Sequence, residues 1–175
     1  MKTPARSHLF SAVAGAAIVV LMGAALRNSE AASNDSAAAR LQRLEDRAAI
    51  MELLTAYGAT LDRRDFAAFG QLFAEDAEYG DARAPTRGRA AIQAQLEKTL
   101  TSNPSNLPGP NRHVFFNPSI QVDGDRATAR SLGAYTVPET GTQVTQLVFF
   151  TAYEDTLVRK NGRWLFQRRA MGGAP

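Results

Sequence analysis

Two residues that together could move a proton stand 51 positions apart in this chain, Asp62 and His113. Of the two histidines only His113 lies beyond the first 31 residues, the other being His8. Imidazole is the side chain whose ordinary titration falls close to physiological pH. A carboxylate that accepts one imidazole N–H fixes the tautomer and raises the basicity of the other nitrogen, which makes a general base. Each residue also has a plainer reading. His113 suits a hydrogen-bonded core or strand-end histidine, and Asp62 suits one member of the charged run Asp62-Arg63-Arg64-Asp65. Four tyrosines follow the same logic. Tyr57, Tyr79, Tyr135 and Tyr153 offer phenols that can donate to a substrate oxygen or an enolate, or can sit in a core with the hydroxyl satisfied. Phe115, Phe116, Phe149, Phe150 and Trp164 read as core or pocket wall.

The elements that must position these groups have clear periods. Residues 41–62 are patterned as one amphipathic helix. At about 100° per residue, Ile50, Tyr57 and Leu61 fall within roughly 60° of Leu54, while Met51, Gly58 and Asp62 flank them within roughly 80°. Asp62 therefore stands at the edge of a buried stripe, one turn beyond a glycine that cannot shield it, and Arg63 faces water. Unpaired burial of such a carboxylate is costly, so His113 is its expected partner. Asp65 is placed to cap a second helix over 66–73, with Phe66, Phe69, Leu72 and Phe73 core-spaced. A short strand over 77–80 and a third helix over 89–100 follow, the latter with Ile92, Leu96 and Leu100 on one stripe. Residues 101–110, with three prolines and a glycine, form a loop that can act as a rim. From Arg112 the period becomes two, giving strands over 112–122, 126–137, 142–158 and 163–171. Asp123-Gly124 and Asn161-Gly162 are hairpin turns, Pro138–Gly141 is a looser one, and Asn117-Pro118 marks a bulge or an edge strand. Three helices followed by a long antiparallel sheet make an α+β fold in which a curved sheet wraps a helix.

Residues 1–31 read as a secretory signal peptide. Lys2 and Arg6 precede an apolar run from Leu9 to Leu26, and Ser29 and Ala31 precede a cut after Ala31. The rival is an N-terminal membrane anchor, since the run just reaches spanning length. Residues 32–37 are a polar spacer able to cap the long helix, and 38–172 are one domain. The expected location is periplasmic or secreted. The chain's 20 Lys and Arg against 17 Asp and Glu give +3. The leader holds three of the basic and one of the acidic residues, which leaves 17 against 16. That balance speaks against nucleic acid or an anionic membrane surface as partner once the leader is gone. Arg63-Arg64 and Arg168-Arg169 then read as solvated faces. The chain has no Cys, which excludes disulfides and thiolate chemistry. With a single remaining His, no zinc site of ordinary ligand type is expected. Phosphate-loop, nucleophile-elbow and dinucleotide fingerprints are missing too, so no metal and no cofactor is expected.

The run Leu44-Glu-Asp-Arg-Ala-Ala-Ile50, Leu53-Leu54, Tyr57, Leu61-Asp62-Arg-Arg-Asp-Phe66 and Leu72-Phe-Ala-Glu-Asp-Ala-Glu-Tyr79 resembles the opening of SnoaL-like domains of the nuclear transport factor two-like superfamily. Gly88-Arg-Ala-Ala-Ile92, Arg112-His113, Val122-Asp-Gly-Asp-Arg-Ala127 and Asn161-Gly-Arg-Trp164 continue the pattern in order, so the resemblance spans about residues 38–172. It implies a cone-shaped α+β barrel, in which a curved, mostly antiparallel sheet encloses a pocket capped by three helices, and self-association as homodimer or homotrimer. In the dehydratase and dehydrochlorinase branch, Asp62 and His113 fall at the positions of an Asp–His dyad. Tyr57 matches a tyrosine of bile acid dehydratases, and Tyr79 a pocket tyrosine of the first strand. The pattern departs at Ala134-Tyr135-Thr136, where some dehydratases carry a second His or acid. This favours proton abstraction over expulsion of a hydroxyl. The expectation is an exported, cofactor-independent lyase or isomerase for a small apolar molecule, with Asp62 and His113 catalytic and Tyr57, Tyr79 and Tyr135 against the substrate. The rival, from a different class, is a non-catalytic module of the same fold that holds a small ligand.

Overall fold

The computed structural model describes residues 10–103, 106, 109, 111–139, 141–142 and 144–173, with side chains from residue 36 onward. Half of the predicted rim over 101–110 lies outside the described residues, as do the first nine of the leader and the leader's side chains. The chain divides into two compact units at Leu44 and Glu45. The first is described as the N-terminal part of helix α1, which runs over Phe10–Asp62. The polar spacer is thus helical and does not cap α1.

The second unit holds the rest of α1, then α2 (Phe66–Gly70), β1 (Phe73–Asp81), β2 (Thr86–Arg87) and α3 (Arg89–Ser102). Four long strands follow: β3 (Arg112–Asp123), β4 (Arg126–Pro138), β5 (Thr145–Lys160) and β6 (Arg163–Gly173). They form one curved, unclosed six-stranded sheet of order β2-β1-β6-β5-β4-β3. All neighbours are antiparallel except β1 and β6, which run parallel. The α+β expectation holds: the short strand expected before the third helix is β1, longer than predicted, and the two-residue β2 beside it is an addition. Helix α2 is shorter than the spacing of its aromatics predicts. It stops at Gly70, and Phe73 opens a nine-residue strand rather than closing a helix. Asp65 does cap α2, its Oδ1 accepting from the Ala68 N–H at 3.0 Å.

The buried stripe of α1 is Ile50, Leu53, Leu54, Tyr57 and Leu61. Met51, predicted on its flank, is instead exposed, so the stripe is narrower on that side. The ring of Tyr57 meets those of Phe69 and Phe166, and Phe73 packs on both of these. Burying each such ring contributes on the order of 1.5–3 kcal/mol. Asp46 pins α1 to the sheet, accepting from Arg159 Nη1 at 2.5 Å and Trp164 Nε1 at 3.2 Å. Trp164 is therefore core and not pocket wall.

Gly58 lets α1 lie directly on β3. A Cβ there would stand 2.9 Å from the His113 Cβ and 3.0 Å from Phe115 Cε2, closer than packed carbons tolerate. The Asn161-Gly162 turn has φ of 52° and 74°, the left-handed pair that a two-residue hairpin requires. Asn117-Pro118 is both a bulge and part of an edge strand: Asn117 has φ 50°, the pairing with β4 shifts between Phe116 and Ser119, and β3 ends the sheet. A second bulge lies on β6. Leu157 pairs with Phe166 and Thr156 with Arg168, which leaves Gln167 as the extra residue. It inverts the alternation along β6, so that Phe166 and Arg169 both point inward.

Candidate functional site

Asp62 and His113 meet at the end of α1 and the start of β3. The Nδ1 of His113 lies 2.7 Å from Asp62 Oδ1, and both side chains are 12% exposed. An ionised carboxylate can only accept, so Nδ1 carries the proton and Nε2 is left as a lone-pair acceptor. The backbone N–H of His113 also donates to the carboxylate, at 3.2 Å to Oδ1 and 3.1 Å to Oδ2. The amide of Asn111 donates to Oδ1 at 2.9 Å. Asp62 thus accepts on both of its oxygens, and one of the donors is the backbone of the residue it orients. Burial lowers the pKa of His113 below histidine's usual 6.5; the hydrogen bond and charge of Asp62 oppose this, while Arg169 and Arg64 add to it. The imidazole is consequently neutral at pH 7, the form a base must have.

The ring of His113 faces a cavity of about 420 Å³. Its walls are apolar, from Leu61 on α1, Leu96 and Leu100 on α3, Val148 and Phe149 on β5, and Met171 on β6. A bulge in β5, where Tyr135 pairs with Phe149 but Thr136 with Leu147, turns both Val148 and Phe149 toward the cavity. Of the predicted tyrosines, the structure brings Tyr57, Tyr79 and Tyr135 to this cavity, together with Tyr153. The hydroxyls of Tyr57 and Tyr79 are 2.7 Å apart, and the ring of Tyr135 stands edge-on to His113 at 5.0 Å. Burial pushes the phenol of Tyr79 up to about 12 and that of Tyr57 well above its usual value; Tyr153 is raised for the same reason. These phenols stay protonated and can donate to an oxygen placed between them.

Arg169 corrects the reading of Arg168-Arg169 as a solvated face. Arg168 is partly exposed and pairs with Glu78, but Arg169 is 0% exposed. Its guanidinium carbon sits 4.1 Å from the ring centre of Tyr57 and 3.9 Å from that of Tyr153, with Phe166 and Phe115 also against it. A cation against such ring faces is attracted by their quadrupoles. Its ion-pair partner is the equally buried Asp155, at 3.3 Å from Nη1. Burial lifts the Asp155 carboxyl to about 6 against the lowering pull of Arg169. The pair is incompletely satisfied: Arg169 Nε and Nη2, Asp155 Oδ1 and the nearby Ser131 Oγ lack protein partners. The positive charge behind Tyr57, Tyr79 and Tyr153 lowers the proton affinity of each phenol relative to burial alone.

Sequence reasoning also missed Asn111, which has no signal beyond standing two residues before His113. Arg64 belongs with it: exposed as predicted, yet lining the cavity and bonded to Asn111. Gly133 is a third omission. A Cβ at that position would collide with the Tyr153 ring, so this glycine makes room for it. Phe116 and Phe150 serve neither the core nor this cavity; they are 42% and 48% exposed, and pairing across β4 aligns them with Ala152 and Val114, while Phe150 lines a separate surface depression.

Comparison with known proteins identifies the arrangement. The SnoaL-like domain model matches residues 42–170. An uncharacterized protein of Mycobacterium tuberculosis is 30% identical over 126 residues, which cover 72% of this chain and 84% of that protein. Among solved structures, an NTF2-like protein with a cystatin-like fold from Novosphingobium aromaticivorans is 32% identical, with a TM-score of 0.64 over 77% of this chain and 85% of its own. A scytalone dehydratase candidate from the same organism shares the fold at 24% identity and TM-score 0.62, over 76% and 87% of the two chains. LinA shares it at 19% identity and TM-score 0.63, over 77% and 90%. Matched along most of its length and in its fold, this chain belongs to the SnoaL-like domain family.

Proposed function

We propose that the protein is an exported, cofactor-independent lyase or isomerase that removes a proton from carbon in a small, mostly apolar molecule. The observation that carries this reading is the short Asp62–His113 hydrogen bond at the wall of an apolar cavity. Nε2 of His113 takes the proton, and Asp62 holds the tautomer and stabilises the imidazolium that forms. The electrons left on carbon move to a neighbouring carbonyl oxygen, which Tyr57, Tyr79 or Tyr153 receives by donating a hydrogen bond. Return of the proton to another carbon gives an isomerase; loss of a group from the adjacent carbon gives a lyase. Among the described residues no Asp or Glu lines the cavity beside Tyr135 to protonate a poor leaving group, so isomerisation or loss of a good leaving group fits better than dehydration. The proposed partner is a small apolar substrate, without nucleic acid or membrane. The exposed apolar strip of Val114, Phe116 and Phe150 supports self-association as a dimer or trimer.

The test is exchange of the acidic α-hydrogens of 2-tetralone, a bicyclic ketone, followed by NMR in D2O. The wild type is expected to accelerate exchange and His113→Gln to lose that acceleration. Binding of bicyclic ketones by both proteins, seen as equal thermal shifts with no exchange by either, would identify a ligand-holding module instead.

A further inference from the structure

Behind the Asp62–His113 pair runs a hydrogen-bond chain whose outer members a simple dyad does not need. Helix α1 ends in a Schellman turn: the Arg64 N–H donates to the Leu61 carbonyl at 3.0 Å and the Asp65 N–H to that of Thr60 at 2.9 Å. This places Arg64 at the left-handed position, φ 59°, where glycine is usual. Holding a bulky residue there costs on the order of 1–3 kcal/mol, and such positions concentrate at functional sites. The guanidinium folds back to the Leu61 carbonyl at 2.7 Å and reaches forward to Asn111 Oδ1 at 2.6 Å. A guanidinium only donates, so this contact fixes the amide of the buried Asn111 with its oxygen toward Arg64 and its NH2 toward Asp62. Asp62 Oδ1 accordingly serves both Asn111 and the His113 ring.

We infer that Arg64 and Asn111 are positioning residues that set the basicity of His113, by competing through a relay for the carboxylate oxygen that partners it. The inference rests on His113 as the proposed base. An unshared Asp62 would draw the Nδ1 proton strongly and favour the imidazolium, which cannot take a proton from substrate. A donor polarised by a cation weakens that pull while keeping the carboxylate oriented, as partners behind catalytic and metal-bound histidines do. The groups facing His113 are Asp62 and Tyr57 on α1, Arg64 in the turn, Tyr135 on β4, Tyr153 on β5 and Arg169 on β6. Of the charged ones only Arg64 is exposed, so it can be removed without emptying the core.

The experiment is a 15N-histidine NMR titration of the full chain, free of any histidine tag and carrying His8→Gln, so that His113 is the one imidazole. Arg64→Asn tolerates the left-handed backbone but is too short to reach Asn111. Its His113 midpoint is expected to rise by about half a pH unit or more. Asn111→Leu is expected to move it in the same direction, and the double variant to move no further than Asn111→Leu alone. Asn111→Ser replaces the leucine variant should that fail to fold. An unmoved midpoint in Arg64→Asn overturns the relay. So does a full Arg64 effect persisting without Asn111, which would make Arg64 a distant charge only. The titration needs no substrate, so it reads the relay even if His113 proves not to catalyse exchange; a failed relay leaves the exchange result standing.

Discussion

Asp62 and Asp155 each meet a nitrogen cation or base, and the molecule treats the two pairs differently. The Asp62–His113 contact is short at 2.7 Å, slightly open at 12% exposure, and backed by Asn111 and a backbone N–H. The Asp155–Arg169 contact is longer at 3.3 Å, wholly dry, and leaves polar atoms on both partners unmet. A buried ion pair of that kind is poor value as stabilisation, because desolvation offsets most of the attraction. What it does supply is a fixed cation under three phenols. On the proposed function, the comparison teaches that the pair that must cycle is satisfied and accessible, whereas the pair that supplies a field is sealed and only partly satisfied.

The sharpest way to break this contrast is at His113. His113→Gln is expected to lower proton exchange about 10²–10⁴-fold, with the melting temperature at pH 7 nearly unchanged. A large loss of stability with a small loss of rate would reverse the two roles. Next in size is Arg169→Met, which strands Asp155 and is expected to cost about 3–5 kcal/mol at pH 7 by urea unfolding. Arg169→Met with Asp155→Leu should recover most of that. The single variant should also fare relatively better at pH 5, because Asp155, already lifted to about 6 beside its cation, is protonated there.

Gly58→Ala forces α1 off β3 and should destabilise by about 1–3 kcal/mol, with a rate loss beyond what stability explains, since the clash falls on the His113 Cβ. The smallest effect concerns pH. The folded state holds His113 below its usual 6.5. The unfolded chain therefore binds the extra proton first as pH falls. Stability from this group is complete above pH 6.5 and is lost as pH drops through the folded value. Melting curves of wild type should decline more steeply just below pH 6.5 than those of His113→Gln. Parallel declines would mean that His113 is not held neutral by burial.

Much of this could be read before any coordinates. The 3.6-residue stripe located Ile50, Leu54, Tyr57 and Leu61 because a helix on a sheet has one dry side, and Asn161-Gly162 located its hairpin because few residues accept two positive φ values. The meeting of Asp62 with His113 followed from the cost of a lone carboxylate at that stripe's edge. Arg169 escaped for a physical reason: strand alternation gives the wrong parity once Gln167 bulges, and a bulge depends on pairing with β5 that no local spacing reveals. Phe116 and Phe150 escaped because aromatic strand residues read alike on either face. Asn111 carries no local signal at all, since its role exists only through what Arg64 and Asp62 place around it.

Gln167 also says something about how this scaffold tolerates change. Deleting that one position would leave Arg168 opposite Thr156 and Arg169 opposite Asp155, so the same arginine would stay sealed, whereas drawing Gln167 into regular pairing with Thr156 would exchange inside for outside from residue 168 to the strand's end. Arg168 would take the sealed place and Met171 would leave the cavity wall. Here the register of a strand, and not the kind of any residue in it, decides which arginine becomes the floor's fixed charge, so insertions and deletions in β6 away from the bulge should be far less forgiving than substitutions on its wet face.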